Sequence, residues 1–348
     1  MKGLLLPYMR YFVYVLCVVA LPLWAAPVTI ESKNAQVIHT DGIITYISIF
    51  KNLIYVGNAS GEVHIYEMDN AKKAQKKATL TLPLIEDYFG NMYAPRVFDI
   101  TTFDGNNLFV LSESSRGGRQ ILKLSVMGDM QVILTTTTSP KRIVAFDKNK
   151  LVVGFLSNEI GLFDIDSAAF IYTTQPSQAG FSNLCVNAPF IFSTDESGVV
   201  NVLDVANGKI LARLDNINKD NNYQVASSQN VILTAGVDRK MGIYTFDTPV
   251  STTSQSNSQN TKPTFSLKSA RSVKSDFLVY AVGISPQATL AAFSKNEQND
   301  ISLIHLPTLE EKYILKGATS LINSIIFYDE KTIISGNDDK NFIIWTLD

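Results

Sequence analysis

A repeat of about 40 residues is the feature of this 348-residue chain that most constrains its fold. Short runs of β-forming residues each close on an aromatic or bulky apolar residue. These ends fall at Tyr66, Leu122, Phe163, Leu203, Tyr244, Ile304 and Trp345. Four of the six intervals are 40 or 41 residues. That is the length of a four-stranded propeller blade, and the other two intervals carry insertions of roughly 16 to 20 residues. The spacing therefore predicts an all-β, seven-bladed β-propeller.

The last repeat shows the blade pattern most clearly. Its turn at residues 336–340 contains Asp339 and leads into a strand that ends at Trp345. These residues resemble a WD40 repeat, and Asp339 falls where that family carries the Asp that caps the turn. The family's Gly-His pair is replaced by Gly317-Ala318, so the usual His-to-Asp hydrogen bond is not expected. The corresponding turn positions in other repeats are Ser60, Ser197 and Asp238.

The two ends of the repeat array are predicted to complete one blade. The last repeat lacks a fourth strand after Trp345, and residues 36–50 match residues 313–327 in length and in apolar positions. Residues 313–327 have the pattern of an outer strand followed by an inner strand. Residues 36–39 are therefore expected to supply the missing outer strand, which closes the ring and removes exposed sheet edges. The expected fold is a WD40-like propeller closed by an N-terminal strand.

Two insertions interrupt the period. Residues 67–94 contain the basic run 72–77, a predicted strand at 79–82 and an aromatic loop. Residues 251–260 form a Ser/Gln/Asn-rich tract that cannot bury itself, and we predict a mobile loop there. No second core or linker is visible, so residues 26–348 are predicted to form a single domain.

The first 25 residues have the pattern of a secretory signal peptide. Lys2 and Arg10 precede an apolar run of 13 residues, and a small residue for cleavage follows at Ala25. The run is shorter than the ~20 residues that span a bilayer, although a retained anchor is the alternative. We expect a periplasmic protein without a membrane span after cleavage. Its remaining cysteine, Cys185, is expected to be a small buried apolar residue.

No catalytic, cofactor-binding or metal-binding residues are predicted. The three histidines, His39, His64 and His305, fall on predicted outer or third strands and do not converge on the channel. Neither a phosphate-binding loop nor a nucleophile elbow occurs. Without the leader, 28 basic side chains face 32 acidic ones, which leaves no electrostatic footprint for nucleic acid. The prediction is a protein that is not an enzyme and that uses no cofactor.

A partner-binding patch is the remaining hypothesis. Turns between second and third strands share a face with the blade-to-blade connections, and the connection at residues 83–96 is long and rich in Tyr, Phe, Met and Arg. These residue types are enriched in interface hot spots. The alternative is that the aromatic residues fold back as a small cluster and the arginines are merely solvated. The candidate residues are Tyr88, Phe89, Tyr93, Arg96, Arg116 and Arg119.

Residues 92–100 and 108–119, with support from 43–66 and from the leader, resemble the NapL family. These are WD40-like accessory proteins of periplasmic nitrate reductase systems. The resemblance implies a periplasmic protein that binds another protein, with nitrate reductase components as the expected partners, and that assists maturation or activity of a molybdenum-containing enzyme. It assigns no role to any single residue. Two alternatives stay open: a lactonase-type propeller enzyme with a channel metal, and a scaffold for envelope assembly.

Overall fold

Seven blades, each with four antiparallel strands, surround a central channel in the computed structural model, which describes residues 26–136, 138–247 and 263–347. The sheet of one blade carries a fifth strand. The predicted all-β propeller is confirmed. Every residue at which a repeat was predicted to end lies in the third strand of its blade, counted from the channel outward. Among the residues that the structure describes, no helix is long and apolar enough to cross a bilayer. The predicted signal peptide and the 251–260 tract lie outside the described residues.

The blades follow one another along the chain. The strands of blade 1 are Ile44–Phe50, Leu53–Asn58, Glu62–Met68 and Ala74–Thr81. Those of blade 2 are Val97–Thr102, Asn107–Glu113, Arg119–Ser125 and Met130–Thr136. Those of blade 3 are Pro140–Asp147, Lys150–Phe155, Ile160–Asp164 and Ala169–Thr174. Those of blade 4 are Phe181–Asn187, Phe190–Asp195, Val200–Asp204 and Ile210–Leu214.

The remaining blades contain the insertion and the closure. The strands of blade 5 are Asn222–Ser228, Val231–Gly236, Lys240–Phe246 and Leu267–Lys274. Those of blade 6 are Val282–Ile284, Leu290–Ser294, Ile301–His305 and Glu310–Lys316, and those of blade 7 are Ile322–Phe327, Thr332–Asn337, Asn341–Thr346 and Gln36–His39. Outside the blades lie a strand at Val28–Glu31, a hairpin of Ile85–Glu86 with Met92–Tyr93, and short 3-10 turns at Ser32–Asn34 and Ser115–Gly117.

The ring closes as the sequence predicted. Gln36–His39 pairs antiparallel with Asn341–Thr346, so that Val37 lies opposite Ile343. A second N-terminal strand was not predicted. Val28–Glu31 adds to the outer edge of blade 6 in parallel with Glu310–Lys316. Four residues are too few to show the alternation of a strand in the sequence. Their pairing with residues near the other end of the chain could not be predicted from any local pattern.

The core consists of apolar layers between neighbouring blades. In the layer between blades 1 and 2, Tyr55 and Val63 of one blade pack on Val97 and Ile100 of the next. All four side chains are completely buried or nearly so. Burying a large apolar side chain contributes about 1.5–3 kcal/mol. These apolar layers between blades therefore stabilise the ring, and Cys185, the cysteine among the described residues, forms no disulfide there.

The turns between second and third strands are capped by a side-chain acceptor, as in WD40 repeats, but the acceptor is not always at the predicted position. Asp339 accepts a hydrogen bond from the Asn341 N–H at 2.9 Å and one from the Thr319 hydroxyl at 2.7 Å, so Thr319 takes the place of the missing histidine. In blade 4 the acceptor is Asp195, and Ser197 donates to it, which corrects the expected capping position. In blade 1 the acceptor is Asn58, two residues before Ser60. A side-chain acceptor two residues before its donor forms an Asx turn, which suits these sharp reversals.

The first insertion is more ordered than predicted. Its outer strand runs over Ala74–Thr81, not 79–82, and thus includes the end of the basic run. The lysine side chains fit there because an outer strand presents one face to water. The aromatic loop that follows contains the two-stranded hairpin of Ile85–Glu86 and Met92–Tyr93. It connects blade 1 to blade 2.

Candidate functional site

One face of the ring carries both the blade-to-blade connections and the turns between second and third strands; we call it the connection face. Backbone hydrogen bonds join each turn to the nearby connection: the Glu113 N–H donates to the Arg96 carbonyl in blade 2, and the Glu196 N–H to the Gly180 carbonyl in blade 4. This confirms that the connection at residues 83–96 and the turn at residues 114–118 share a face. The opposite face is formed by the other two sets of turns.

The hairpin on this face has a defined tip. The Asp87 carboxylate accepts hydrogen bonds from the backbone N–H groups of Phe89 at 2.7 Å and Asn91 at 2.9 Å. The Asn91 side chain and these N–H groups lower the pKa of Asp87. Gly90 has a φ of +87°, a left-handed conformation that a side chain would strain. Hydrogen bonds within the turn and the left-handed Gly90 therefore fix the aromatic residues at the hairpin tip.

The hairpin is also attached to blade 2. Its Ile85 side chain is buried, and the Glu86 N–H donates to the Ser115 hydroxyl at 3.2 Å. Arg116 Nη2 lies 3.9 Å from Glu86 Oε2. Gly117 lies against the Tyr88 ring, since a Cβ at that glycine would be 3.6 Å from it. These contacts fix the hairpin relative to the turn that the sequence also selected.

Four apolar side chains of this connection face water, and we call them the hairpin patch: Leu84, Tyr88, Phe89 and Met92. Phe89 is 90% exposed and Tyr88 is 75% exposed, so neither folds back onto the ring. Tyr93 is half-buried in the hairpin strand. These exposed apolar side chains, grouped on one fixed turn, form a candidate interaction surface. Sequence reasoning named the aromatic residues but not Leu84 or Met92.

The three candidate arginines occupy different surroundings. Arg96 and Arg116 are exposed beside the hairpin. Arg119 is half-buried: its guanidinium lies 4.0 Å from the Phe98 ring centroid and donates to the Pro140 carbonyl. Burial lowers the pKa of Arg119, against the charge of Glu113. Arg119 therefore lies at the opening of the central channel on the connection face. It is neither freely solvated nor part of the hairpin patch.

At this opening of the channel, the first strands of blades 1, 2 and 3 bring together Tyr46, Asp99 and Arg142. None of the three was predicted as a site residue. Arg142 Nη1 lies 2.9 Å from the fully buried Asp99 carboxylate, and its guanidinium lies 4.6 Å from the Tyr46 ring centroid. Asp99 also accepts hydrogen bonds from the N–H groups of Ile100 and Ile143. Asp99 is the one charged residue of its strand, but Arg142 stands beside Lys141 in a strand that also ends in Asp147, so the sequence held no clear signal for this pair.

The burial of this cluster changes its titration. Burial raises the pKa of Asp99 to about 6, although Arg142 and the two backbone N–H groups act in the opposite direction. Burial also disfavours the Arg142 cation, but the Asp99 charge outweighs it and raises the arginine's pKa. Burial raises the pKa of Tyr46 to about 12. The buried ion pair of Asp99 and Arg142 thus links the first strands of blades 2 and 3.

A second polar cluster lies between the closing strand and blade 1. Ligand-type atoms of Asp41, Glu62 and His64 lie within 4.8 Å of one another, a grouping that the histidine positions did not suggest. Glu62 Oε2 lies 3.0 Å from His64 Nε2 and accepts from Asn58 at 2.8 Å. Asp41 is exposed beside Lys76. Hydrogen bonding within blade 1 therefore accounts for the buried His64 and the half-buried Glu62.

Cys185 lies on the first strand of blade 4. Burial raises the pKa of Cys185 to about 12, and the positive charge of Arg142 only partly offsets this effect. A thiol with so high a pKa is almost entirely protonated at neutral pH and is a poor nucleophile. Cys185 packs beside the apolar layer between blades 4 and 5.

Comparison with known proteins identifies the architecture and nothing finer. No protein-family description and no curated protein sequence matches the chain. Among solved structures, the chain is similar to the β-propeller domain of Cps50 (Swd1) from Myceliophteria thermophila, with a TM-score of 0.69 and 12% identity. The similarity covers 90% of this chain and 100% of that domain. At this identity the likeness shows the fold alone, which is that of a seven-bladed, WD40-like β-propeller.

Proposed function

We propose that this propeller is a non-enzymatic scaffold of the periplasm that binds another protein through its connection face. The hairpin patch is the observation that carries the proposal. It presents Phe89 and Tyr88 to solvent on a turn that is hydrogen-bonded internally and fixed to blade 2. Preorganised aromatic anchors lose little conformational entropy on binding, which is why they dominate interface energetics.

The partner that we propose is a component of a periplasmic nitrate reductase system. Support for this choice comes from the resemblance of residues 92–100 and 108–119 to the NapL family. Those residues lie in the hairpin, in the first two strands of blade 2 and in the turn that contacts the hairpin. The resemblance thus includes part of the connection face, while its strand residues in blade 2 are mostly buried. The proposed role is assistance to the maturation or activity of that system.

Phe89→Ser is expected to reduce capture of the partner by about tenfold or more, because a central aromatic anchor contributes at least about 2 kcal/mol to an interface. The measurement uses purified residues 26–348 to capture proteins from a periplasmic extract of nitrate-grown cells. Mass spectrometry then identifies and quantifies the captured proteins.

The matched control is Ile171→Ser. Ile171 is also an exposed apolar residue, at 52%, but it lies on the outer strand of blade 3. This variant should capture the partner as the wild type does, and both variants should keep the wild-type melting temperature. Equal capture by the two variants would rule out the hairpin patch, and a capture set without any nitrate reductase component would rule out the proposed partner.

A further inference from the structure

The mouth of the central channel is a cavity that opens on the connection face. It measures about 310 Å³ and is lined by the first strands of six blades together with Arg119. A smaller cavity of about 140 Å³ lies in the channel and shares Tyr46 and Arg142 with it. The lining is polar on most sides, with Asn183, Gln224 and Ser324 contributing from blades 4, 5 and 7. The cavity therefore offers hydrogen-bonding groups to a polar occupant.

Three cations of blades 2 and 3 line this cavity, and we call them the cationic mouth: Arg119, Lys141 and Arg142. The Lys141 ammonium donates to the Phe181 carbonyl at 3.2 Å. Burial lowers the pKa of Lys141 most, and the nearby positive charges of Arg119 and Arg142 lower it further, against Glu196. These cations are thus close enough to repel one another. Like charges held together in a partly buried cavity favour an anionic occupant.

Three carboxylates lie near these cations, with Glu113 near Arg119, Glu196 near Lys141 and Asp99 against Arg142, but none of them lines the cavity. Asp99 is the carboxylate that contacts Arg142, and its oxygens also accept two backbone N–H groups. Glu113, beside Arg119, accepts the Arg96 N–H at 2.8 Å. The buried Nε of Arg142 has no hydrogen-bond partner within the described parts of the chain. The described residues that line the cavity therefore include three cations and no carboxylate.

We infer that the cationic mouth binds a carboxylate side chain of the protein that docks on the hairpin patch. The inference rests on the proposed function and adds the chemistry of the partner. The partner would present an acidic segment beside the apolar surface that contacts the hairpin patch. The two surfaces adjoin in blade 2, because Arg119 begins the strand that follows the turn holding the hairpin. A carboxylate side chain fits a shallow cavity of this size, and a charge-assisted hydrogen bond there is stronger than one between neutral groups.

The test measures binding of two capped fluorescent peptides, triglutamate and triglutamine, by fluorescence anisotropy at low ionic strength. The wild type should bind triglutamate at least about tenfold more tightly, since hydrogen bonds to charged groups are stronger than those between neutral groups. Lys141→Gln and Arg119→Gln should each remove most of that preference. Both retain the Asp99–Arg142 pair, so the ring is expected to keep its melting temperature. Added salt should weaken triglutamate binding through screening.

The matched control is Lys209→Gln, which removes an exposed cation from the turn between the third and fourth strands of blade 4, on the opposite face. It should bind triglutamate as the wild type does. Equal affinity of the wild type for both peptides, or an equal loss in the Lys209 variant, would overturn the inference. So would free glutarate binding as tightly as triglutamate, because the site would then recognise a small anion and not a peptide. In each case, a persisting effect of Phe89→Ser on capture would leave the proposed function in place.

Discussion

Arg142→Met is expected to lower the free energy of unfolding by about 3–5 kcal/mol near pH 8, which is the usual cost of removing one member of a buried ion pair. The reason is that Asp99, which is completely buried, would remain as an uncompensated charge. Methionine fills a similar volume, so the loss should reflect charge and not a cavity. The measurement is urea unfolding of the variant and of the wild type at two pH values.

The pH dependence of this loss has a definite sign. In the folded wild type the pKa of Asp99 is raised from 3.8 to about 6, and Arg142 is one of the groups that restrain the rise. Without that cation, the folded-state pKa should rise further. A carboxyl whose pKa is higher when folded stabilises the fold while it is protonated, and this stability is lost as the pH rises through the folded-state value. The variant should therefore recover about 1 kcal/mol or more near pH 5 relative to pH 8.

The control for the ion pair is the double variant Asp99→Asn/Arg142→Met. It contains no buried charge at this position, so it should be more stable than Arg142→Met near pH 8 and should lose the additional pH dependence. If the single and double variants unfold at the same urea concentration at both pH values, the buried charge is not the cause of the instability.

Trp345→Ala is expected to destabilise the ring by about 3–5 kcal/mol. Trp345 is fully buried in the apolar layer between blades 6 and 7, and its indole N–H donates to the Ser335 hydroxyl at 2.9 Å. Truncation removes the largest side chain of this layer and leaves a cavity. Since the layer also contains Ile30 of the N-terminal strand, the loss should weaken the attachment of that strand. Thermal and urea unfolding measure the effect.

Trp345→Phe separates packing from hydrogen bonding. Phenylalanine retains an aromatic ring but leaves Ser335 without its donor, so a smaller loss of about 1–3 kcal/mol is expected. Ser335→Ala in the Phe background should restore part of it, because the unsatisfied hydroxyl is then absent. Equal destabilisation by Ala and Phe at position 345 would show that the layer does not depend on the volume of this side chain.

The architecture could be predicted because its signals are local or periodic. An interval of about 40 residues appears in the chain whatever its conformation, and seven such units imply seven blades. The match between residues 36–50 and 313–327 predicted closure for the same reason, and Gln36–His39 does pair with the last strand. The aromatic connection was visible because its composition is unusual for a short link between blades. Even there, the sequence did not show that the Asp87 turn holds Phe89 in solvent while Ile85 is buried.

Only the tertiary structure decided what converges on the channel. Tyr46, Asp99 and Arg142 belong to three blades, and each shares its strand with other polar residues. Their meeting depends on how the first strands are placed around the ring axis, which leaves no period or spacing in the chain. The same applies to the parallel pairing of Val28–Glu31 with Glu310–Lys316. The sequence by itself determined the number of blades and their closure, because strand period and repeat length are properties of neighbouring residues. The cavity at the cationic mouth depends on contacts between segments that are distant in the chain, and only the closed ring brings these segments together.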